Sequence, residues 1–157
     1  MNHILKIKKL NENAVVPAQA TAGSAGMDLS ACLDNDVIIA PGEIKLIPTG
    51  LAAAPDTDQC ALLIYPRSGL ASKHGISLAN CVGVVDSDYR GEVKVMYEAK
   101  MYVDEKEIVV KKGYHSIKAG ERIAQMLIER NEDTTLVPVA ELSETKRGTG
   151  GFGSTGW

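Results

Sequence analysis

Apolar side chains recur at every second position along most of this chain, in runs of three to six residues cut short by Pro and Gly turn signals. A period of two puts alternate side chains on opposite faces of a strand. The pattern therefore predicts strands at residues 4–8, 37–39, 44–47, 61–65, 92–97 and 108–110. Pro41-Gly42, Pro48-Thr49-Gly50, Lys112-Gly113 and Ala119-Gly120 separate them. Short strands at such spacing predict an all-β sandwich or barrel. One segment breaks the rhythm. Residues 68–75 place Ser68 where a helix N-cap belongs and Gly75 where a helix ends, so one short helix is expected there.

The chain has 157 residues, 45% hydrophobic and 24% charged, which is enough for one domain with its own core. Its 17 basic and 20 acidic residues leave a net charge of −3. Non-specific binding to nucleic acid needs a cationic surface, so no nucleic-acid partner is expected. No apolar run approaches the roughly 18 residues of a membrane span, and no membrane partner is expected. The first ten residues alternate Lys with Ile and Leu rather than forming a signal core, so a cytoplasmic location is expected. Cys32, Cys60 and Cys81 are odd in number and far apart, without metal-ligand spacing or a disulfide framework. They read as buried thiols in a reducing compartment. Phe152 and Trp157, the single Phe and the single Trp, both sit in the last six residues, so the core is expected to do without aromatics.

From about Glu141 the chain turns polar and then glycine-rich, without a strand pattern. This tail lacks the Lys of a phosphate-binding loop, and no helix fits before Trp157, so a Walker-type site is not expected. What it offers is a run of backbone N–H groups with Arg147 and Phe152. Successive N–H groups cradle anions, a guanidinium forks onto phosphate and a ring stacks on a base. That combination describes a nucleotide lid.

Five segments are denser in Gly, Asp, Ser and Arg than turns require: residues 25–31, 66–71, 83–92, 120–126 and 147–156. Singly each has an ordinary reading. Asp28 is then a turn acid, Arg67-Ser68 a helix start with a solvated charge, Asp86 to Gly91 a hairpin loop with Asp88 as its solvated acid, and Gln125 a core-edge amide. Together, in this order and spacing, they resemble the five motifs of the trimeric dUTP diphosphatase (dUTPase) family, and the resemblance covers most of the chain.

The resemblance implies an all-β, jelly-roll-like β-barrel of residues 1–140, assembled as a homotrimer. Residues 141–157 would form a flexible arm closing over a neighbouring subunit's active site. It implies Mg²⁺-dependent hydrolysis of dUTP to dUMP and pyrophosphate, which limits uracil incorporation into DNA. Asp86 matches the acid that activates water. Tyr89 matches the tyrosine under the deoxyribose. Asn80 matches the uracil-binding hairpin, and Val85 is a further substrate-binding position that the resemblance implies. Arg67, Ser68 and Gly69 match phosphate contacts of the second motif, and Gln125 matches the amide near the α-phosphate. Asp28 matches an acid that orients water around the metal, an outer-shell role. Arg147, Phe152, Gly153, Ser154 and Thr155 match the arm. A carboxylate suits in-line attack at phosphorus, because the water needs a base within hydrogen-bond reach. Mg²⁺ usually rides on substrate phosphates rather than in a protein cage, which fits a sequence without a tight carboxylate cluster.

A dCTP deaminase of the same fold would need a glutamate acid/base at the pyrimidine ring, where the third motif here supplies Asp86-Ser87-Asp88-Tyr89-Arg90-Gly91. A silent regulatory module would be expected to lack Asp86, Tyr89 or Arg147, and all three are present. The connection at residues 101–112 is longer than the compact family pattern and reads as an extended hairpin. Trp157 reads as packing or fraying.

Overall fold

The structure, a computed structural model, describes residues 4–99 and 114–150. The strand expected at 108–110, the connection at 101–112, the arm residues Phe152, Gly153, Ser154 and Thr155, and Trp157 lie outside the described residues. The chain order is β1 (Leu5–Lys9), β2 (Met27–Ser30), β3 (Val37–Ile39), β4 (Ile44–Pro48), β5 (Leu51–Pro55), β6 (Cys60–Pro66), α1 (Ser68–His74), β7 (Ile76–Leu78), β8 (Gly83–Val85), β9 (Lys94–Ala99), β10 (His115–Ile117) and β11 (Arg122–Arg130). The fold is all-β with one short helix, as expected. Every strand pair is antiparallel.

Hydrogen bonding divides the strands into four sheets, ordered β1-β5, β10-β3, β2-β11-β6-β8 and β4-β9-β7. No closed ring of strands forms among the described residues. The sheets wrap a single core in which Leu29, Ile39, Ile47, Leu62, Ile117 and Ile123 are almost wholly buried. Branched aliphatic side chains suit this interior because they pack well on pleated surfaces. The core is not free of aromatics, contrary to expectation. Tyr97 on β9 is 1% exposed and is the largest of the fully buried side chains. The cysteines also depart from expectation. Only Cys60 is buried, Cys32 is half-buried and Cys81 is exposed, and all three are free thiols.

One junction ties the sheets to the functional loops. Thr49, fully buried, donates from its hydroxyl to the Val93 carbonyl at 2.6 Å. Gly50 follows with φ +68°, and its N–H donates to Glu92 Oε1 at 2.8 Å. A Cβ at Gly50 would lie 2.8 Å from both Ala14 Cβ and Cys32 Sγ. Conformation and close packing thus both demand glycine here. Beyond β11, residues 131–150 contain no strand and are exposed up to Gly150, with Leu136, Val137, Val139 and Leu142 open to solvent.

Candidate active site

Strand β11 is the axis of the candidate site. In its register Gln125 lies opposite Asp28 of β2 on one side and Tyr65 of β6 on the other. Directly paired residues of antiparallel strands share a face, so Asp28 and Gln125 point the same way. β6 then runs through Pro66 into α1. The helix begins at Ser68 with Arg67 as its N-cap, in extended backbone and without a side-chain cap bond. The expected Ser68 cap is therefore displaced by one residue. That leaves the Ser68 hydroxyl exposed beside the cavity instead of spent on the helix end.

A cavity of about 320 Å³ opens at this place, lined by Ala20, Ser24, Ala25, Gly26, Asp28, Arg67, Ser68, Gly69, Arg122 and Gln125. Within it Asp28 holds two guanidinium groups, Arg67 Nε at 3.2 Å from Oδ1 and Arg122 Nη1 at 2.9 Å from Oδ2. Arg67 Nη1 also donates to the Arg122 carbonyl at 3.0 Å. Gln125 Nε2 donates to the Pro66 carbonyl at 3.0 Å. A Cβ at Gly26 would stand 3.0 Å from Gln125 Oε1, so glycine leaves that amide its space. Two cations against one carboxylate leave the cavity net positive, in a chain whose total charge is negative. Fixed donors under such a field suit an anion with several oxygens.

The third motif is elsewhere. β8 runs antiparallel to β6, with Gly83 opposite Ile64 and Val85 opposite Leu62. The chain therefore leaves β8 toward the start of β6, whereas Arg67 follows its end. Four residues of strand, roughly 13 Å at 3.3 Å each, separate Leu62 from Pro66. Asp86 and Val85 instead line a second cavity of about 280 Å³ with Leu46, Val84, Tyr89, Glu92, Val93 and Lys94. Tyr89 N–H donates to the Asp86 carbonyl at 3.1 Å, closing a turn. The Tyr89 hydroxyl donates to the Glu92 carbonyl at 3.2 Å. Its ring lies so close over Gly91 that a Cβ there would collide with it. Asn80 lines neither cavity. It sits in the turn between β7 and β8 beside Gly83, next to Cys81 at φ +61°. Arg147 is exposed, its Nε donating to the Gly150 carbonyl at 2.8 Å.

The structure thus brings together Asp28, Arg67, Ser68, Gly69 and Gln125, and separately Val85, Asp86 and Tyr89. It adds Arg122 and Gly26, which the sequence reading had not singled out. Arg122 lies within the fourth motif, residues 120–126. Only the β2–β11 pairing reveals that its guanidinium meets Asp28, 94 positions away.

A family model described as dUTPase matches residues 12–156. A deoxyuridine 5'-triphosphate nucleotidohydrolase of Nautilia profundicola is 49% identical over 152 residues, 97% of this chain and 98% of that protein. One of Neisseria meningitidis serogroup A is 46% identical over 158 residues, 99% of each. Among solved structures, the Staphylococcus bacteriophage 80alpha dUTPase with dUPNHPP superposes with a TM-score of 0.79 at 28% identity, covering 98% of this chain and 99% of that one.

Proposed function

The chain belongs to the dUTPase family and hydrolyses dUTP, and we propose that its active site is assembled between copies of the chain. The observation that carries this reading is the placement of Asp86 and Arg67 at opposite ends of β6. A base and a phosphate clamp must stand within a few ångströms of one reacting phosphorus. A homotrimer meets that demand by setting the third-motif cavity of one subunit against the Arg67 cavity of another.

In this reading the triphosphate lies in the positive cavity, on Arg67, the Ser68 hydroxyl, the Gly69 N–H and the Gln125 amide. Arg122 and Arg67 are both oriented by Asp28. Asp86 of a second subunit takes a proton from water as the water oxygen attacks the α-phosphorus. The bond from that phosphorus to the α–β bridging oxygen breaks, and pyrophosphate leaves with the bonding pair. Tyr89, folded over Gly91, forms the floor beneath the deoxyribose and leaves a 2′-hydroxyl no room. The turn at Asn80 and the strand at Val85 offer backbone and amide groups to uracil. The arm from 141 to 157, with Arg147, Phe152, Gly153, Ser154 and Thr155, closes over a neighbour's site. Cytoplasmic location fits three cysteines left as free thiols. No helix among the described residues is long and apolar enough to cross a membrane.

Both Asp28 oxygens are engaged by arginines, which suits a carboxylate that orients metal-bound water rather than a direct ligand. Among the described residues no three His, Cys, Asp or Glu side chains cluster as a cage. The donor set therefore fits a hard cation that arrives on the triphosphate, with Asp28 in its outer shell. Mg²⁺ so bound would neutralise phosphate charge.

The test mixes two inactive chains. Arg67→Ala removes the clamp, and Asp86→Asn removes the base, each at a cost on the order of 10²–10⁴-fold in kcat/KM. Co-refolded trimers of the two should recover dUTP hydrolysis, read as pyrophosphate release, because some sites then draw both intact halves. No recovery in trimers shown to be mixed refutes a site shared between subunits.

A further inference from the structure

Helix α1 carries the phosphate-binding side chains and has little to hold it. It is seven residues long and buries only Leu70. A helix of that length has no stability of its own and depends on tertiary contacts. Its N-terminal end is tied by Arg67 to Asp28 and to the Arg122 carbonyl. Its C-terminal end, closed by Gly75 at φ +66°, has one conspicuous contact. The His74 ring packs on His115 of β10 with centroids 5.0 Å apart and planes tilted by 48°.

His115 is an unusual anchor. Its Nε2 is buried and finds no hydrogen-bond partner among the described residues. A proton arriving there would place a charge on a buried, unpartnered nitrogen of a half-buried ring, against a second imidazole. Among the described residues, the titratable groups around it are few. α1 supplies His74, with exposed Lys73 beside it, and the turn before β11 supplies Glu121. The paired strand β3 places Ile39 opposite and contributes no charge. Burial pulls the His115 pKa below its ordinary value, His74 adds to that, and Glu121 opposes it.

We propose that His115 is a positioning residue for dUTP hydrolysis: as a neutral ring against His74 it holds α1 in place, and on gaining a proton it loosens the helix that presents Arg67, Ser68 and Gly69. The proposal rests on the reading of those three residues as the triphosphate clamp. The sign follows from linkage. A His held below its ordinary pKa in the folded chain stabilises the fold above that value. The contribution fades as pH falls through about 6.5, when the unfolded chain takes its proton first.

The experiment compares the full-length trimer with His115→Phe, which keeps a flat ring and cannot titrate, and with His115→Ala, which keeps neither. KM, kcat and Tm are measured from about pH 8 to about pH 5.5. The terminal phosphate of dUTP titrates in the same range, and its effect cancels in the ratio to His115→Phe. The ratio of wild-type KM to that of His115→Phe should rise severalfold toward acid, as the folded chain gains the proton that His115→Phe cannot take. The kcat ratio should stay flat, and wild-type Tm should fall relative to the variant. His115→Ala should show the raised KM at every pH. A KM ratio that stays constant overturns the proposal, and if Tm alone changes, His115 is structural only. Arg67→Ala at about pH 8 tests the clamp separately: unchanged KM there means that the clamp reading has failed, whatever the pH ratio shows.

Discussion

At the residue scale, Tyr89 and Gly91 form one unit. The ring occupies the space where any other residue's Cβ would stand, and the Tyr89 hydroxyl is tethered to the Glu92 carbonyl. Gly91→Ala should therefore displace the ring without touching its chemistry. The displaced floor should admit a 2′-hydroxyl more readily, narrowing the ratio of kcat/KM for dUTP over UTP by about tenfold, the scale set by a polar group no longer forced into an unpartnered space. An unchanged ratio would remove Tyr89 from the sugar site. Asp28, Arg67 and Gln125 were legible only through the resemblance of their segments, in order and spacing, to the family's motifs; singly they read as a turn acid, a helix start and a core-edge amide. Arg122 was not, since an arginine gains meaning only from the carboxylate it faces, and that carboxylate comes from a strand 94 positions earlier. The aromatic count misled for a related reason. Counting Phe and Trp says nothing of where a tyrosine goes, and Tyr97 lies at the centre of the core.

At the element scale, the period of two found β1, β3, β4, β6 and β9 and missed the rest, among them β11, the longest at nine residues. β7, β8 and β10 have three residues each, too few to show alternation, and unlike β3, which reads Val-Ile-Ile, they carry Ser or Gly among their three. β5 reads Leu-Ala-Ala-Ala-Pro, a composition that favours helix and becomes strand only by pairing with β1. The turn before β5 was legible as Pro48-Thr49-Gly50, but its strictness was not. Gly50→Ala must hold alanine at φ +68° and push a methyl group against Ala14 and Cys32. Left-handed backbone costs about 1–2 kcal/mol and overpacking about 1–3 kcal/mol. The variant should lose about 2–5 kcal/mol of stability, measured by chemical denaturation. A loss near zero would mean that the N-terminal segment yields freely.

At the scale of the whole molecule, the tail from 131 to 150 makes no strand and exposes Leu136, Val137, Val139 and Leu142. On the proposed reading of the arm, fixing its backbone would cost about 1–2 kcal/mol per residue, and Arg147, backbone N–H groups and stacking by Phe152 on the nucleotide would offset it. Deleting residues 147–157 should leave a folded trimer with weakened dUTP binding and poor turnover, checked by sizing chromatography and by KM and kcat. Full activity after deletion would leave the arm without a catalytic part. The run of β6 from Cys60 to Pro66, with Asp86 near its start and Arg67 just past its end, has a kinetic corollary. With the site shared between subunits as proposed, a solitary chain fresh from the ribosome would hold a base with no phosphate to serve and a clamp with no water to aim. Hydrolysis then switches on with encounter rather than with folding, and at extreme dilution its rate climbs more steeply than the first power of protein concentration.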